Sequence, residues 1–165
     1  MSVKTWRYLV VPLIVLMLGC SGSDETVLRQ PDDAASIEAN NRAVGLMGRF
    51  EYDEARAVFA ELAAEYPGWH DAKINLAIAT LNTQQPGSET EALELAEQVL
   101  NDDPEHLRAH YVAGLVRLYL GRPAEAAMHF RTVSDGDSQD AHAAYYLAQC
   151  LAQQSDYSQA VSYTH

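Results

Sequence analysis

The sequence predicts an all-α solenoid of about four helix-turn-helix repeats, the last one truncated. The first observation is a period. Small residues recur at Ala43, Ala77, Gly114 and Ala148, spaced 34, 37 and 34, and again at Ala55, Ala92, Ala126 and Ala160, spaced 37, 34 and 34. Both series are a 34-residue period with one three-residue insertion between Ala77 and Ala92, where NTQQPGSET (Asn82 to Thr90) supplies an enlarged turn. The second observation is that Leu, Ile, Val and Phe surround these small residues at helical spacing, so backbones can approach closely while larger side chains fill the remaining space. The third is that each helix pair leaves an apolar face which only the next pair can cover, the condition for a stacked array.

Before the repeats, Met1 to Arg7 (MSVKTWR) carries Lys4 and Arg7 and no acid, and Tyr8 to Leu18 (YLVVPLIVLML) is an eleven-residue apolar run. That run is too short to span a membrane, which takes about 20 apolar residues, and suits the core of a signal peptide. Gly19 then sets a small residue directly before Cys20. This junction resembles the lipobox of bacterial lipoproteins and departs from it at Met17 and Leu18, where that family more often has Leu and then a small residue. The resemblance implies a signal peptide over residues 1–19 and a lipid on Cys20, whose acyl chains anchor without a spanning helix. It also implies, because Ser21 rather than Asp follows the cysteine, the periplasmic face of the outer membrane. Removal of residues 1–19 takes Lys4 and Arg7 and moves the formal charge from −12 to −14. Residues 20–35 then form the lipidated cysteine and a tether, since Ser21 to Ser36 (SGSDETVLRQPDDAAS) has Gly, Pro, Ser and Asp and no apolar stripe. Such a tether reaches roughly 20 Å.

The solenoid occupies residues 36–165, in repeats of about 36–69, 70–106, 107–140 and 141–165. Helices are expected near 36–49, 52–66, 70–83, 89–101, 106–120, 123–134, 141–153 and 156–165, with turns in GRFEYDEA (Gly48 to Ala55), LGRPAEA (Leu120 to Ala126) and QSDYSQA (Gln154 to Ala160). Ala55 and Phe59 lead to Pro67, Ala92 and Ala96 to Pro104, and Ala126 and Phe130 to Ser138, where the closing proline is missing; Leu147, Ala148 and Tyr157 keep the register in the last repeat. This pattern resembles the tetratricopeptide repeat, two antiparallel helices with A-x-x-x-F and a closing Pro. His165 stands five residues past Ala160, about two turns short of the earlier second helices, which predicts a truncated chain.

The resemblance implies a concave surface lined by the first helix of each repeat. The family's groove positions fall on Asn40, Val44, Met47, Asp71, Ile78, Asn82, Arg108, Tyr111, Leu115, Tyr119, His142, Tyr145 and Gln149. Tyrosine and asparagine suit recognition of an extended peptide, because the ring supplies area while hydroxyl and amide satisfy a backbone. One subgroup of the family clamps a terminal carboxylate with Lys, Arg and Asn. Here Asn75 and Arg108 match that pattern, but Asn40, Val44 and Val112 stand where it wants a Lys, an Asn and an Arg, so a clamp is not expected.

Other chemistries find little support. The composition, 48% apolar with 21% charged residues, is that of a folded domain, and 23 acids against 11 bases would repel nucleic acid and anionic membrane surfaces. His106 and His110 (HLRAH) have the spacing of a helical metal pair but lack the Glu of H-E-x-x-H and a third ligand. No glycine-rich phosphate loop, nucleophile elbow or paired-acid motif occurs, and Cys150 lies among Ala and Leu as a buried thiol. The sequence therefore predicts a lipid-anchored scaffold that binds a protein or peptide, with no enzyme activity, cofactor or metal. The alternatives are the N-terminal module of a longer envelope protein whose activity lies beyond residue 165, and a pilotin-like or outer-membrane assembly lipoprotein.

Overall fold

The structure, a computed structural model, describes Pro31 and residues 33–162. The expected signal peptide, Cys20 and most of the tether lie outside the described residues. Seven helices are described: α1 (Ala34–Gly48), α2 (Tyr52–Glu65), α3 (His70–Asn82), α4 (Ser88–Asp102), α5 (Leu107–Tyr119), α6 (Pro123–Gly136) and α7 (Ala141–Ser162). Each packs against its chain neighbours, and α3 also touches α1 and α5, the connectivity of stacked helix pairs. None of the described helices is long and apolar enough to cross a membrane.

Local chemistry sets the helix ends. Asp33 caps α1, its Oδ1 accepting from the Ser36 N–H at 2.8 Å, so the helix starts two residues before the expected Ser36. Pro123 opens α6, where its fixed φ and missing N–H do no harm. The reversal between α1 and α2 uses Phe50 at φ 64°, and that between α5 and α6 uses Gly121 at φ 70°. The inserted turn lies at 83–87, with Gln84 at φ 53° and Gly87 at φ 91°.

The periodic small residues sit where helices touch. Ala43, Ala55, Ala77, Ala92 and Ala126 are fully buried, and Gly114 is buried on α5. The five alanines belong to three core clusters, each drawn from three consecutive helices: α1–α3 around Phe59, α3–α5 around Ile74 and Val99, and α5–α7 around Phe130. Burying one such aromatic side chain stabilises the fold by roughly 1.5–3 kcal/mol of transfer free energy.

The end of the chain differs from expectation. No turn forms at Gln154 to Ala160; the expected helices 141–153 and 156–165 are one helix, α7, described to Ser162. The earlier reversals place a residue in the left-handed region, whereas QSDYSQA contains neither Gly nor Pro, and its alanine and glutamines favour continuation. Ala148, in register with Ala43 and Ala77, is consequently exposed, with no helix among the described residues folded over it.

Candidate partner-binding groove

The first helices of the pairs, α1, α3 and α5, lie side by side and exchange hydrogen bonds across the surface between them. Arg108 Nη2 donates to Asn75 Oδ1 at 2.8 Å, Asn75 Nδ2 donates to Asn40 Oδ1 at 3.2 Å, and Arg108 Nη1 donates to Asp71. A guanidinium can only donate, so the Asn75 oxygen must face Arg108, which leaves the Asn75 amino group for Asn40. The result is a polar ladder from α1 to α5. The two residues that match the carboxylate-clamp pattern, Asn75 and Arg108, are engaged in it, with the cation held on Asp71.

Two depressions open beside the ladder. One, of about 360 Å³, has Ile78, Leu107, Val112 and Val133 as its apolar wall, Tyr111 and His142 along it, and Arg108, Asp137 and Asp140 among its charged residues. The other, of about 440 Å³, is lined by Ile78, Leu81, Val112 and Leu115 with Asn82, Gln84, Glu89 and Tyr119. Ile78 and Val112 are common to both, so the two adjoin along α3 and α5.

The sequence-predicted groove residues are thus brought together in part. Asn40, Asp71 and Arg108 form the ladder; Ile78, Arg108, Tyr111 and His142 line the first depression; Ile78, Asn82, Leu115 and Tyr119 line the second. Val44 and Tyr145 stand clear, 50% and 64% exposed, Met47 packs against the first core, and Gln149 is half-buried on α7; none of these four lines either depression. Several lining residues also hold the fold. Tyr111 meets Phe130 and Tyr146 edge-on, with centroids 5.8 and 6.1 Å away, and burial raises its pKa, so the hydroxyl remains protonated. Asn82 donates to the Ile78 carbonyl of its own helix at 2.8 Å.

Leu107, Val133, Asp137 and Asp140 were not anticipated, because they come from the start of α5, the end of α6 and the following connection. The available signal was Ser138 in place of the closing proline, within the acidic run DGDSQD. Asp140 caps α7, its Oδ1 accepting from the His142 and Ala143 N–H groups at 3.0 and 2.9 Å, and Asp137 Oδ1 accepts from Gln139 N–H at 2.9 Å.

The histidines of HLRAH diverge. His106 caps α5, its Nδ1 accepting from the Ala109 N–H at 3.1 Å, and burial lowers its pKa. His110 Nε2 lies 2.9 Å from the Pro104 carbonyl and its Nδ1 lies 2.8 Å from His129 Nδ1. Since a carbonyl only accepts, a neutral His110 carries its proton on Nε2 and accepts at Nδ1 from His129. Burial, then Arg117 and His110, hold His129 down at about 4. Among the described residues no group of three or more His, Cys, Asp or Glu is placed to hold a metal ion. Cys150 is fully buried, and burial raises its pKa, which keeps the thiol protonated and unreactive.

Comparison with known proteins agrees with this architecture. The tetratricopeptide-repeat family model matches residues 90–132 and 111–163. Comparison with curated proteins finds no match. Among solved structures the chain is similar to the second tetratricopeptide domain of human RPAP3 in complex with the HSP70 peptide SGPTIEEVD (TM-score 0.62, 23% identity, 70% of this chain and 93% of that one). It is also similar to the Sgt2 tetratricopeptide domain of Aspergillus fumigatus (0.70, 19%, 77% and 83%). A third similar structure is the Yersinia enterocolitica type III secretion chaperone SycD in complex with a peptide of the translocator YopD (0.64, 14%, 76% and 99%). The fold is an all-α tetratricopeptide solenoid, and residues 90–163 match the tetratricopeptide-repeat family.

Proposed function

We propose that this chain is a scaffold, not an enzyme, that binds a protein or peptide partner along the face formed by α1, α3 and α5 and the mouth of α7. The observation that carries this reading is the pair of adjoining, partly apolar depressions beside the amide and guanidinium ladder. Apolar walls flanked by fixed polar groups suit an extended segment, whose side chains fill the hollows while its backbone meets amides and hydroxyls. The peptide complexes of human RPAP3 and of SycD on the same fold support it.

The finer part of the proposal concerns location. The basic start, short apolar run and Gly19-Cys20 junction support a lipid anchor in the bacterial envelope, on the periplasmic face of the outer membrane, which would raise the partner's local concentration at that surface. Photoreactive residues at Tyr111 and Tyr119 in the full chain, irradiated in native membranes, test the groove. A discrete partner captured at these sites and not at the outward Glu94 is expected, and equal capture at Glu94 would remove the groove as the working surface. Palmitate labelling with and without Cys20→Ser tests the anchor; a variant that still labels and still pellets with membranes rules it out.

A further inference from the structure

The depression between α5, α6 and the start of α7 has a character distinct from the ladder beside it. Its wall is aliphatic, with Val112 and Val133 themselves buried, and its volume of about 360 Å³ is within the span of ~300–1,000 Å³ typical of ligand pockets. Its charges are unbalanced. Arg108 is the only cation among the described residues lining either depression, and its guanidinium already faces Asp71 and Asn75. Against it stand Asp137 and Asp140 here and Glu89 in the adjoining depression, on a chain of formal charge −12. Each of the two aspartates uses an Oδ1 to accept backbone N–H groups, so their carboxylates are fixed on the connection that rims the cavity.

We infer that this cavity takes an apolar side chain of a basic segment: a stretch of a protein partner in which Leu-like residues are flanked by Lys or Arg. This rests on the groove reading and makes it specific. The aliphatic wall receives the apolar group, and the neighbouring cation meets Asp137 and Asp140. An acidic segment meets the same carboxylates unfavourably and finds Arg108 already neutralised, so the charge pattern selects by repulsion as well as attraction. The net negative charge of the whole chain steers the same class of partner from a distance.

The test uses the full chain and two short labelled peptides, one alternating Leu and Lys and the other alternating Leu and Glu, followed by fluorescence anisotropy. The Leu/Lys peptide is expected to bind at least about tenfold more tightly. The double variant Asp137→Asn/Asp140→Asn keeps the helix cap, because Asn caps as well as Asp. It is expected to close most of that gap, while Glu54→Gln/Glu94→Gln, which removes the same charge from exposed outward positions, leaves it unchanged. Equal or tighter binding of the Leu/Glu peptide overturns the proposal and leaves peptide binding intact. Equal weakening by both double variants also overturns it, because binding would then follow diffuse charge and not this cavity. Binding of neither peptide overturns it as well, and cross-linking at Tyr111 and Tyr119 then decides the groove reading separately.

Discussion

The first two helix pairs and the last three helices build the same repeat with different fillings. Around Phe59 the space between α1, α2 and α3 is closed by Ala43, Leu62, Ala72 and Leu76, and in the next pair Ala96 stands where the ring would be. Around Phe130 it is closed by rings: Tyr146 stacks on Phe130 at 5.2 Å and 19°, and Tyr111 meets both edge-on. The charges follow suit. Arg56 reaches Glu91 on the surface, whereas Arg117 is only 13% exposed, bridges Glu97 and Glu125, and acts on the half-buried His129. A ring layer is thicker than an alanine one, and here one of its members, Tyr111, also lines the cavity. One fold thus supports a half closed mainly by alkyl side chains and an aromatic half that couples the groove, through Tyr111, to the core.

Phe130→Ala separates the halves most sharply. Emptying a fully buried ring site costs about 3–5 kcal/mol, and Phe59→Ala should cost a similar amount. The difference lies in the groove. Phe130→Ala removes the surface against which Tyr111 and Tyr146 rest, so among molecules that remain folded it should weaken peptide binding, while Phe59→Ala should leave binding unchanged. Urea unfolding combined with peptide titration at low temperature reads both effects, and equal binding losses would erase the distinction.

That distinction was only half legible in the sequence. The 34-residue period located the helices because an alanine or glycine is demanded wherever two backbones meet, and Ala43, Ala55, Ala77, Ala92 and Ala126 obey that demand. The turn at Gln154 was misread because the register of Ala148 and Tyr157 imitates a repeat, while the segment has neither a Gly nor a Pro to break the helix. The groove was legible along α3 and α5, where family positions and cavity walls coincide. It was not legible at Asp137 and Asp140, since an acidic turn carries no periodicity, and only its place in space sets it at the rim of the cavity.

At one register position the halves make opposite demands. Ala77 and Gly114 are equivalent in the period, yet a Cβ on Gly114 would sit 3.0–3.2 Å from three atoms of the Phe130 ring. That ring is pinned by Tyr146 and Tyr111 and cannot yield, so the overpacking cost of about 1–3 kcal/mol should exceed the helix-propensity gain of up to ~1 kcal/mol. Gly114→Ala should therefore destabilise, and Ala77→Gly should also destabilise, by about 1 kcal/mol, through backbone entropy. A stabilised Gly114→Ala variant would mean that the ring layer is softer than its geometry implies.

Acidification should find the aromatic half first. His129 is held at about 4, below its ordinary 6.5, so the unfolded chain takes a proton more readily than the folded one. Its contribution is present above pH 6.5 and is lost as pH falls towards 4; His106, also lowered, acts with the same sign. The expected loss is about 1–2 kcal/mol, less than the full shift implies because water screens a half-buried ring. In the first half Asp33 is lowered to about 2, chiefly by the Tyr66 hydroxyl that donates to it at 2.6 Å, so its contribution is intact above its ordinary 3.8 and is lost only as pH falls towards 2. Denaturation at pH 7.5 and 5, in the parent and in His129→Gln, should show a slope that the variant reduces.

Arg117→Gln gives the smallest and most local signal. Burial is the first cause of the His129 shift and the guanidinium charge the second, so neutralising Arg117 should raise the His129 pKa only part of the way to its ordinary value. The matched change in the first half, Arg56→Gln, breaks a surface pair with Glu91 and should cost about 0–1 kcal/mol with no effect on any histidine. Arg117 also carries an Nη1 that is buried without a hydrogen-bond partner among the described residues, so part of what its bonds to Glu97 and Glu125 contribute is offset by that group's desolvation. The net stability change in Arg117→Gln should therefore be modest even though its ion pairs are better shielded than that of Arg56. Proton NMR of the histidine ring signals over a pH series reads the shift directly. An unmoved His129 resonance in Arg117→Gln would assign the depression to burial alone and leave the two halves different in packing but not in electrostatic coupling.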